Sequence, residues 1–282
     1  MRIPGIDDAV GAARLAASLV LPAPADQLGE RDPGFIRRTL PAMAALWQTY
    51  FRADVRGLDR IPATGPVLLV GNHSGGTLIA DTFVFTTRFY EHFGVERRFH
   101  QLAHDLVLAL PGLGLLRKYG TVAANREHAR RALHAGAAVL VYPGGDHETF
   151  RPSWHSGDVE FDGRKGFVRL ALEEDVPVVP VVSIGGQETA LFLTRGRRAV
   201  ELLGLDRLLR LKVLPVALAP PLGVTVLDLP GRIPLPAKIT VQVLEPLDLS
   251  GLEVDAAYEL LTGTMQDALD ELSAERSLPV LG

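Results

Sequence analysis

The sequence has 282 residues, a net charge of -4, 47% hydrophobic and 22% charged residues, and a mean hydropathy of +0.17. This composition can bury a large core and excludes a disordered chain. No run reaches the roughly 20 uninterrupted apolar residues that a spanning helix needs, and the charge balance excludes the global basic field of a nucleic-acid binder. The length fits one large α/β domain or two small ones, and no internal period supports a repeat architecture. There is no cysteine, so disulfides, Cys-zinc sites and cysteine nucleophiles are excluded. Met1–Val20 carries several charges ahead of a short apolar stretch and makes a poor signal peptide, so the chain is expected inside the cell.

In chain order, residues 1–32 read as an irregular lead-in with one short helix. From Gly34 to Val55 apolar residues fall at helical spacing, with Arg37 and Arg38 on the same stretch. The stretch is either a helix packed on the core or one that rests on a bilayer. Pro66–Gly71, Ala138–Tyr142, Val176–Ile184 and Ile239–Leu244 are apolar runs between turn residues and predict buried strands. Helical patterns at Asp81–Phe93, Arg126–Ala135 and Lys165–Glu174 separate several of them, and a last helix is predicted over Asp255–Glu275. The alternation predicts an α/β fold with a mostly parallel sheet covered on both faces. Leu205–Pro236 breaks the scheme. It is apolar yet holds six prolines, which argue against a regular helix or a central strand. A basic cluster, Arg195, Arg197, Arg198, Arg207, Arg210 and Lys212, adjoins it and suits an anionic membrane surface, or else a solvated basic face.

Three stretches carry chemistry. In Val67–Asp81 a buried strand ends at Gly71-Asn72, and His73 stands at the mouth of a Gly-rich turn. Ligands of α/β sheets bind at the carboxyl ends of strands, where a histidine can serve as general base. Asp81 could hold its imidazole in one tautomer, and Gly75 and Gly76 allow close backbone approach to a substrate. Leu140–Glu148 repeats the design with a Pro143-Gly144-Gly145 turn whose N–H groups can form an anion nest. In Gly120–Arg126 the arginine opens a helix, either as a surface residue or as an anion contact.

Together these stretches resemble the glycerolipid acyltransferase superfamily, the PlsC-like lysophospholipid acyltransferases, and most closely its branch that resembles diacylglycerol acyltransferases. The resemblance rests on Gly71–Gly76, Gly120–Arg126, Tyr142–Glu148, Gly163–Ala171, Pro177–Gly185 and Leu235–Val241, in the family's order across residues 35–275. It implies a mostly parallel mixed sheet flanked by helices, an N-terminal helical, membrane-facing segment at 1–55, and an α/β acyltransferase domain at 56–282. It also implies transfer of an acyl group from acyl-CoA, or acyl carrier protein, to a lipid hydroxyl at the cytoplasmic membrane surface, with no cofactor, no metal and no nucleic acid. His73 and Asp81 would be catalytic. Asn72, Ser74, Gly75, Gly76, Arg126, Pro143, Gly144, Gly145, Glu148, Arg164 and Lys165 would bind substrate. Backbone N–H groups near Pro143–Gly145 would meet the oxyanion, and Val178–Ile184 would help form the acyl-binding wall.

Two features depart from that family. The usual His and Asp are separated by four residues, whereas His73 and Asp81 are separated by seven. Along a continuous helix eight steps rise about 12 Å, so the Gly75-Gly76 turn must fold back for the two to meet. The Glu-Gly-Thr-Arg run of the phosphatidate-forming enzymes reads Gly144-Gly145-Asp146-His147 here, which makes an uncharged acceptor such as mono- or diacylglycerol at least an equal candidate beside a lysophospholipid acceptor. Three other classes compete. Asn72-His73-Ser74-Gly75-Gly76 is close to a nucleophile elbow, with Ser74 as nucleophile and His147 or His155 as partner. His73, His104-Asp105 and His147-Glu148 could be scattered ligands of a metal-dependent phosphatase. The chain could also be a non-catalytic lipid-binding protein using Leu205–Pro236.

Overall fold

The computed structural model describes residues 28–104, 107–108, 113–202, 213–226, 228, 232–278 and 280–282. The expected helix within residues 1–27, Asp105 of the possible metal set, and Arg207, Arg210 and Lys212 of the basic cluster lie outside the described residues.

The central sheet has seven strands: β1 (Asp54–Arg56), β2 (Val67–Gly71), β3 (Phe99–Ala103), β4 (Thr121–Ala123), β5 (Ala138–Val141), β6 (Val178–Ile184) and, late in the chain, a strand at Thr240–Val243. Between β6 and that last strand come β7 (Leu191–Thr194), β8 (Val216–Ala219) and β9 (Gly223–Val226), so Thr240–Val243 is β10. The order across the large sheet is β1-β10-β6-β2-β5-β3-β4. Only the β10–β6 pair is antiparallel. The fold is therefore the expected mostly parallel mixed sheet flanked by helices.

Every residue of β2 and β6 is buried, which is why both read as unbroken apolar runs. The two-residue period divides them between two cores. Leu68, Val70, Val139 and Val182 face one side, and Val67, Leu69, Leu140 and Val181 face the other. The first side is covered by α3 (Arg126–His134), α5 (Gly166–Glu174) and α7 (Val254–Ala274), the second by α1 (Pro33–Tyr50) and α2 (Ala80–Phe93). Two short helices, α4 (Gly145–Thr149) and α6 (Arg197–Leu202), complete the set among the described residues.

Helix α1 opens on Asp32, whose side chain accepts the Phe35 N–H at 2.8 Å, with Pro33 at the first helical position. Its buried stripe, Ile36, Leu40 and Ala44, packs on α2, and Trp47 stacks on Phe51 and Phe83 at centroid distances of 5.7 and 5.2 Å. The apolar side of this helix is thus part of the core, and Leu46 is its one large apolar side chain that is exposed. Strand β1 runs through residue 55, where the sequence placed a domain boundary.

The sequence missed β1, β3 and β4. In β3, His100 and Gln101 are buried polar residues: Gln101 donates to Thr121 Oγ1 at 2.6 Å and accepts from Thr86 at 2.9 Å. A buried strand whose polar groups are satisfied inside the fold has no apolar pattern to announce it. The second departure is the antiparallel sheet β7-β8-β9. The proline-rich stretch was expected to hold no central strand, yet β8 is one. It is only four residues long and lies between Pro215 and Pro220, so neither proline falls within the ladder.

Candidate active site

The carboxyl ends of the parallel neighbours β2 and β5 carry the two glycine-rich stretches. Beyond β2 comes His73, its side chain 12% exposed. Beyond β5, the Tyr142 ring stacks under the imidazole, 4.1 Å between centroids and 14° apart. Gly71 makes room for this ring, because a Cβ there would lie 2.5 Å from it. Burial, and then the negative charge of Asp81, push the Tyr142 hydroxyl well above its usual range, so the ring stays a neutral phenol platform.

Asp81 reaches His73. Its Oδ2 lies 3.2 Å from His73 Nδ1 and also accepts the Ser74 N–H at 2.9 Å. Its Oδ1 accepts the Thr82 N–H at 2.7 Å. A carboxylate so placed holds the imidazole proton on Nδ1 and leaves the Nε2 lone pair free. The chain bridges the long spacing by folding back. Gly75 and Gly76 take φ of 94° and 65°, a 3-10 turn spans Gly76–Leu78, and α2 starts at Ala80. Asp81 then sits in the first turn of α2, where the positive end of the helix dipole favours its charge.

Residues that the sequence did not single out brace this turn. Asp228 and Arg232 form a buried ion pair at 2.6 Å, with side chains 0% and 3% exposed. Asp228 accepts the Thr77 N–H at 2.6 Å, and Arg232 donates to the Gly75 carbonyl at 2.6 Å. Gln187 accepts the Gly75 N–H at 3.1 Å. Beneath His73, buried Glu148 accepts the His73 N–H at 2.8 Å and the Glu160 N–H at 3.1 Å, beside Arg151 at 3.3 Å. Burial pushes the Glu148 carboxyl up to about 7 against the pull of Arg151 and these N–H groups. Glu148, expected to bind substrate, is thus a fully buried support of the His73 backbone. The only sequence signal for Asp228, Arg232, Gln187 and Arg151 is their polarity, which is too common to single them out.

The other expected site residues divide. Asn72 is buried and bonds both ways to the Ser183 backbone, at 2.9 and 2.7 Å, so it ties β2 to β6. Pro143, Gly144 and Gly145 form the turn after Tyr142, and Arg164 donates to the Pro143 and Gly144 carbonyls at 3.1 and 3.0 Å. Arg164 is thus a strut of the turn. Among the described residues the Gly144 N–H has no hydrogen-bond acceptor. Lys165 pairs with Asp255 at 2.9 Å on the surface. Arg126 opens α3 and is ion-paired with Glu173. It stands at the edge strand β4, three strands from β2 and so about 14 Å across the sheet. Val178–Ile184 is fully buried within the sheet.

The nucleophile reading of Ser74 fails on geometry. Its side chain is buried, its hydroxyl points at Asp81 Oδ2 3.3 Å away, and Gly186 packs so closely that a Cβ there would lie 2.2 Å from Oγ. No face is left for a substrate carbonyl. His147 accepts from Arg197 at 2.7 Å and His155 pairs with Asp158 at 3.1 Å, away from Ser74. Among the described residues no group of three or more His, Asp or Glu could hold a metal ion, and no helix is long and apolar enough to cross a membrane.

Comparison with known proteins gives the family. The Acyltransferase family model matches residues 52–184, the span from β1 through β6. An uncharacterised protein of Mycobacterium tuberculosis is 30% identical over 256 residues, covering 87% of this chain and 68% of that protein. The bovine protein called DGAT1/2-independent enzyme synthesizing storage lipids is 30% identical over 139 residues, 49% of this chain and 39% of its own. Among solved structures, the 1-acyl-sn-glycerophosphate (LPA) acyltransferase PlsC from Thermotoga maritima shares the fold. The TM-score is 0.54 at 19% identity, covering 86% of this chain and 83% of that one.

Proposed function

Because the chain belongs to the glycerolipid acyltransferase superfamily, we propose that it moves a fatty acyl group from acyl-CoA to a lipid hydroxyl, with His73 as general base. The observation that carries this reading is the 3.2 Å contact between His73 Nδ1 and Asp81, with the imidazole stacked on Tyr142. The Nε2 lone pair takes the proton of the acceptor hydroxyl as its oxygen attacks the thioester carbonyl carbon. Asp81 stabilises the imidazolium that forms. The tetrahedral oxyanion accepts a hydrogen bond from the Gly144 N–H, whose position is held by Arg164. Collapse breaks the C–S bond, and the imidazolium returns its proton to the CoA thiolate. No acyl-enzyme is formed.

An uncharged acceptor, mono- or diacylglycerol, fits the third motif best. Gly144 and His147 stand in place of the acidic-basic pair that would read a phosphate, Asp146 between them adds a carboxylate, and Arg164 is occupied by Asp146 and the turn carbonyls. The storage-lipid enzyme among the relatives supports the same choice. Arg126 would meet a phosphate of CoA, since its exposed pair with Glu173 is weak enough to exchange. Acyl carrier protein is the alternative donor, and the cytoplasmic face of the cell membrane is the expected working place. The test is free-thiol release from palmitoyl-CoA with a panel of monoacylglycerol, diacylglycerol and lysophosphatidate. His73→Ala should abolish acceptor-dependent release, and unchanged release would overturn the mechanism.

A further inference from the structure

On the premise of that reaction, we infer that the outward face of the β7-β8-β9 sheet is the surface by which the protein sits on an anionic phospholipid bilayer. Strand alternation sorts the sheet into two faces. Phe192, Ala217 and Ala219 point inward and are buried. Leu191, Leu193, Leu218, Val224 and Val226 point outward, from 37% exposed at Leu193 to 66% at Val224. A contiguous apolar face of this kind in a soluble chain marks a contact surface. Beside it stands Trp154, 65% exposed, on the turn whose Ser153 hydroxyl accepts the Phe192 N–H at 2.9 Å. Tryptophan favours the headgroup level of a membrane.

The charge of the β7–β8 connection selects the occupant. An open depression of about 380 Å³ is lined by Thr194, Arg195, Arg197 and Arg198, together with Pro152 and Gly196. Arg195 is ion-paired with Glu160, Arg197 holds an exposed pair with Asp162 that is weak enough to exchange, and Arg198 is exposed. As a sequence, the connection from β7 to β8 holds six basic residues against Glu201 and Asp206, a net +4, of which Arg207, Arg210, Lys212 and Asp206 lie outside the described residues. An apolar face beside a connection of net positive charge matches acyl chains beneath anionic headgroups. Helix α1 has no comparable face, because its stripe is buried against α2. The inner side of the same sheet leads directly to the reaction centre: the Phe192 ring would lie 2.7 Å from a Cβ on Gly76, and Asp228, two residues past β9, holds Thr77. One layer of side chains therefore separates the bilayer from the turn that presents His73, which suits an acceptor drawn from that bilayer.

The experiment is co-sedimentation of the full chain with phosphatidylcholine vesicles containing about 30% phosphatidylglycerol. The wild type should pellet with these vesicles, and Arg198→Glu should weaken the phosphatidylglycerol-dependent part. Val224→Asp with Val226→Asp should lower the vesicle partition at least about tenfold, since two apolar contacts are replaced by charge. Leu46→Asp on α1 should leave it unchanged. Both valines are exposed, so the double variant should keep its melting temperature and its thiol release with a water-soluble short-chain acylglycerol. The inference is overturned if the wild type ignores these vesicles, if the double variant binds as well as wild type, or if the double variant turns a wild-type dimer into a monomer and vesicles play no part. Thiol release that fails in every variant while vesicle binding follows the expected order would sink the proposed reaction and leave the docking face standing.

Discussion

Asp228→Ala should uncouple the brace from the turn that joins His73 to Asp81. The substitution removes the partner of a buried guanidinium and the acceptor of the Thr77 N–H. Breaking a buried ion pair from one side costs about 3–5 kcal/mol, because the remaining charge stays in a low dielectric without its counter-ion. Arg232 keeps its bonds to the Gly75 and Thr189 carbonyls, at 2.6 and 3.3 Å, so the lower end of that range is expected. This is a large share of the roughly 5–15 kcal/mol that holds a domain folded. Urea unfolding measures it. The double variant Asp228→Ala with Arg232→Met removes the orphaned charge and should recover most of the stability. It still leaves the Gly75 carbonyl and the Thr77 N–H without their partners, so the turn that folds Asp81 onto His73 loosens. Turnover should stay about 100-fold down, the effect of a displacement near 1 Å at a reacting group. A loss below about 1 kcal/mol in the single variant would refute the energetic reasoning. Wild-type turnover in a re-stabilised double variant would refute the positioning role.

Asp81→Asn keeps the size of the side chain but places an amide where three donors converge. It should lower kcat about a thousandfold or more with KM little changed, as expected when an imidazole loses its oriented tautomer. Ser74→Ala should stay within about tenfold of wild type in thiol release, whereas a serine nucleophile would lose nearly all activity. Gly76→Ala forces a Cβ to 2.1 Å from Asp228 Oδ2 at a φ of 65°, and the combined overpacking and left-handed strain should lower stability by about 2–4 kcal/mol in urea titration. Burial holds His100 down to about 4, from an ordinary 6.5, so folding favours its neutral form. The unfolded chain then binds the proton first, and its contribution, present above pH 6.5, is lost as pH falls towards 4, by up to about 3 kcal/mol. His100→Gln should flatten that part of the wild-type pH-stability curve, and an unchanged slope between pH 7 and 4.5 would contradict the assignment.

The strands and helices that bury continuous or periodic apolar faces were legible in the chain. The expected runs at 66–71, 138–142, 176–184 and 239–244 correspond to β2, β5, β6 and β10, and the helices match within a few residues at each end. Of the strands that were missed, β3 buries satisfied polar residues at His100 and Gln101, β8 is a short piece set between prolines, and β1, β4, β7 and β9 are only three or four residues long, too short for a period to show. Leu205–Pro236 is unusual in the sequence, apolar yet rich in proline, but the inward and outward faces of β8 and β9 within it require their register with β7.

By itself, the sequence determined the parallel architecture and the two glycine-rich strand ends, because periodicity and turn chemistry are local properties of the chain. It also marked His73 and Asp81, and their spacing required a turn that folds back. Only the tertiary structure decided that this turn brings Asp81 to 3.2 Å from His73. It alone placed Tyr142 under the imidazole, turned Ser74, Asn72 and Arg164 into supports, and put Asp228 and Arg232 behind Gly75 and Thr77. Those contacts join residues up to 157 positions apart. No local pattern encodes such a meeting, since it comes from the packing of distant segments and not from the residues on either side.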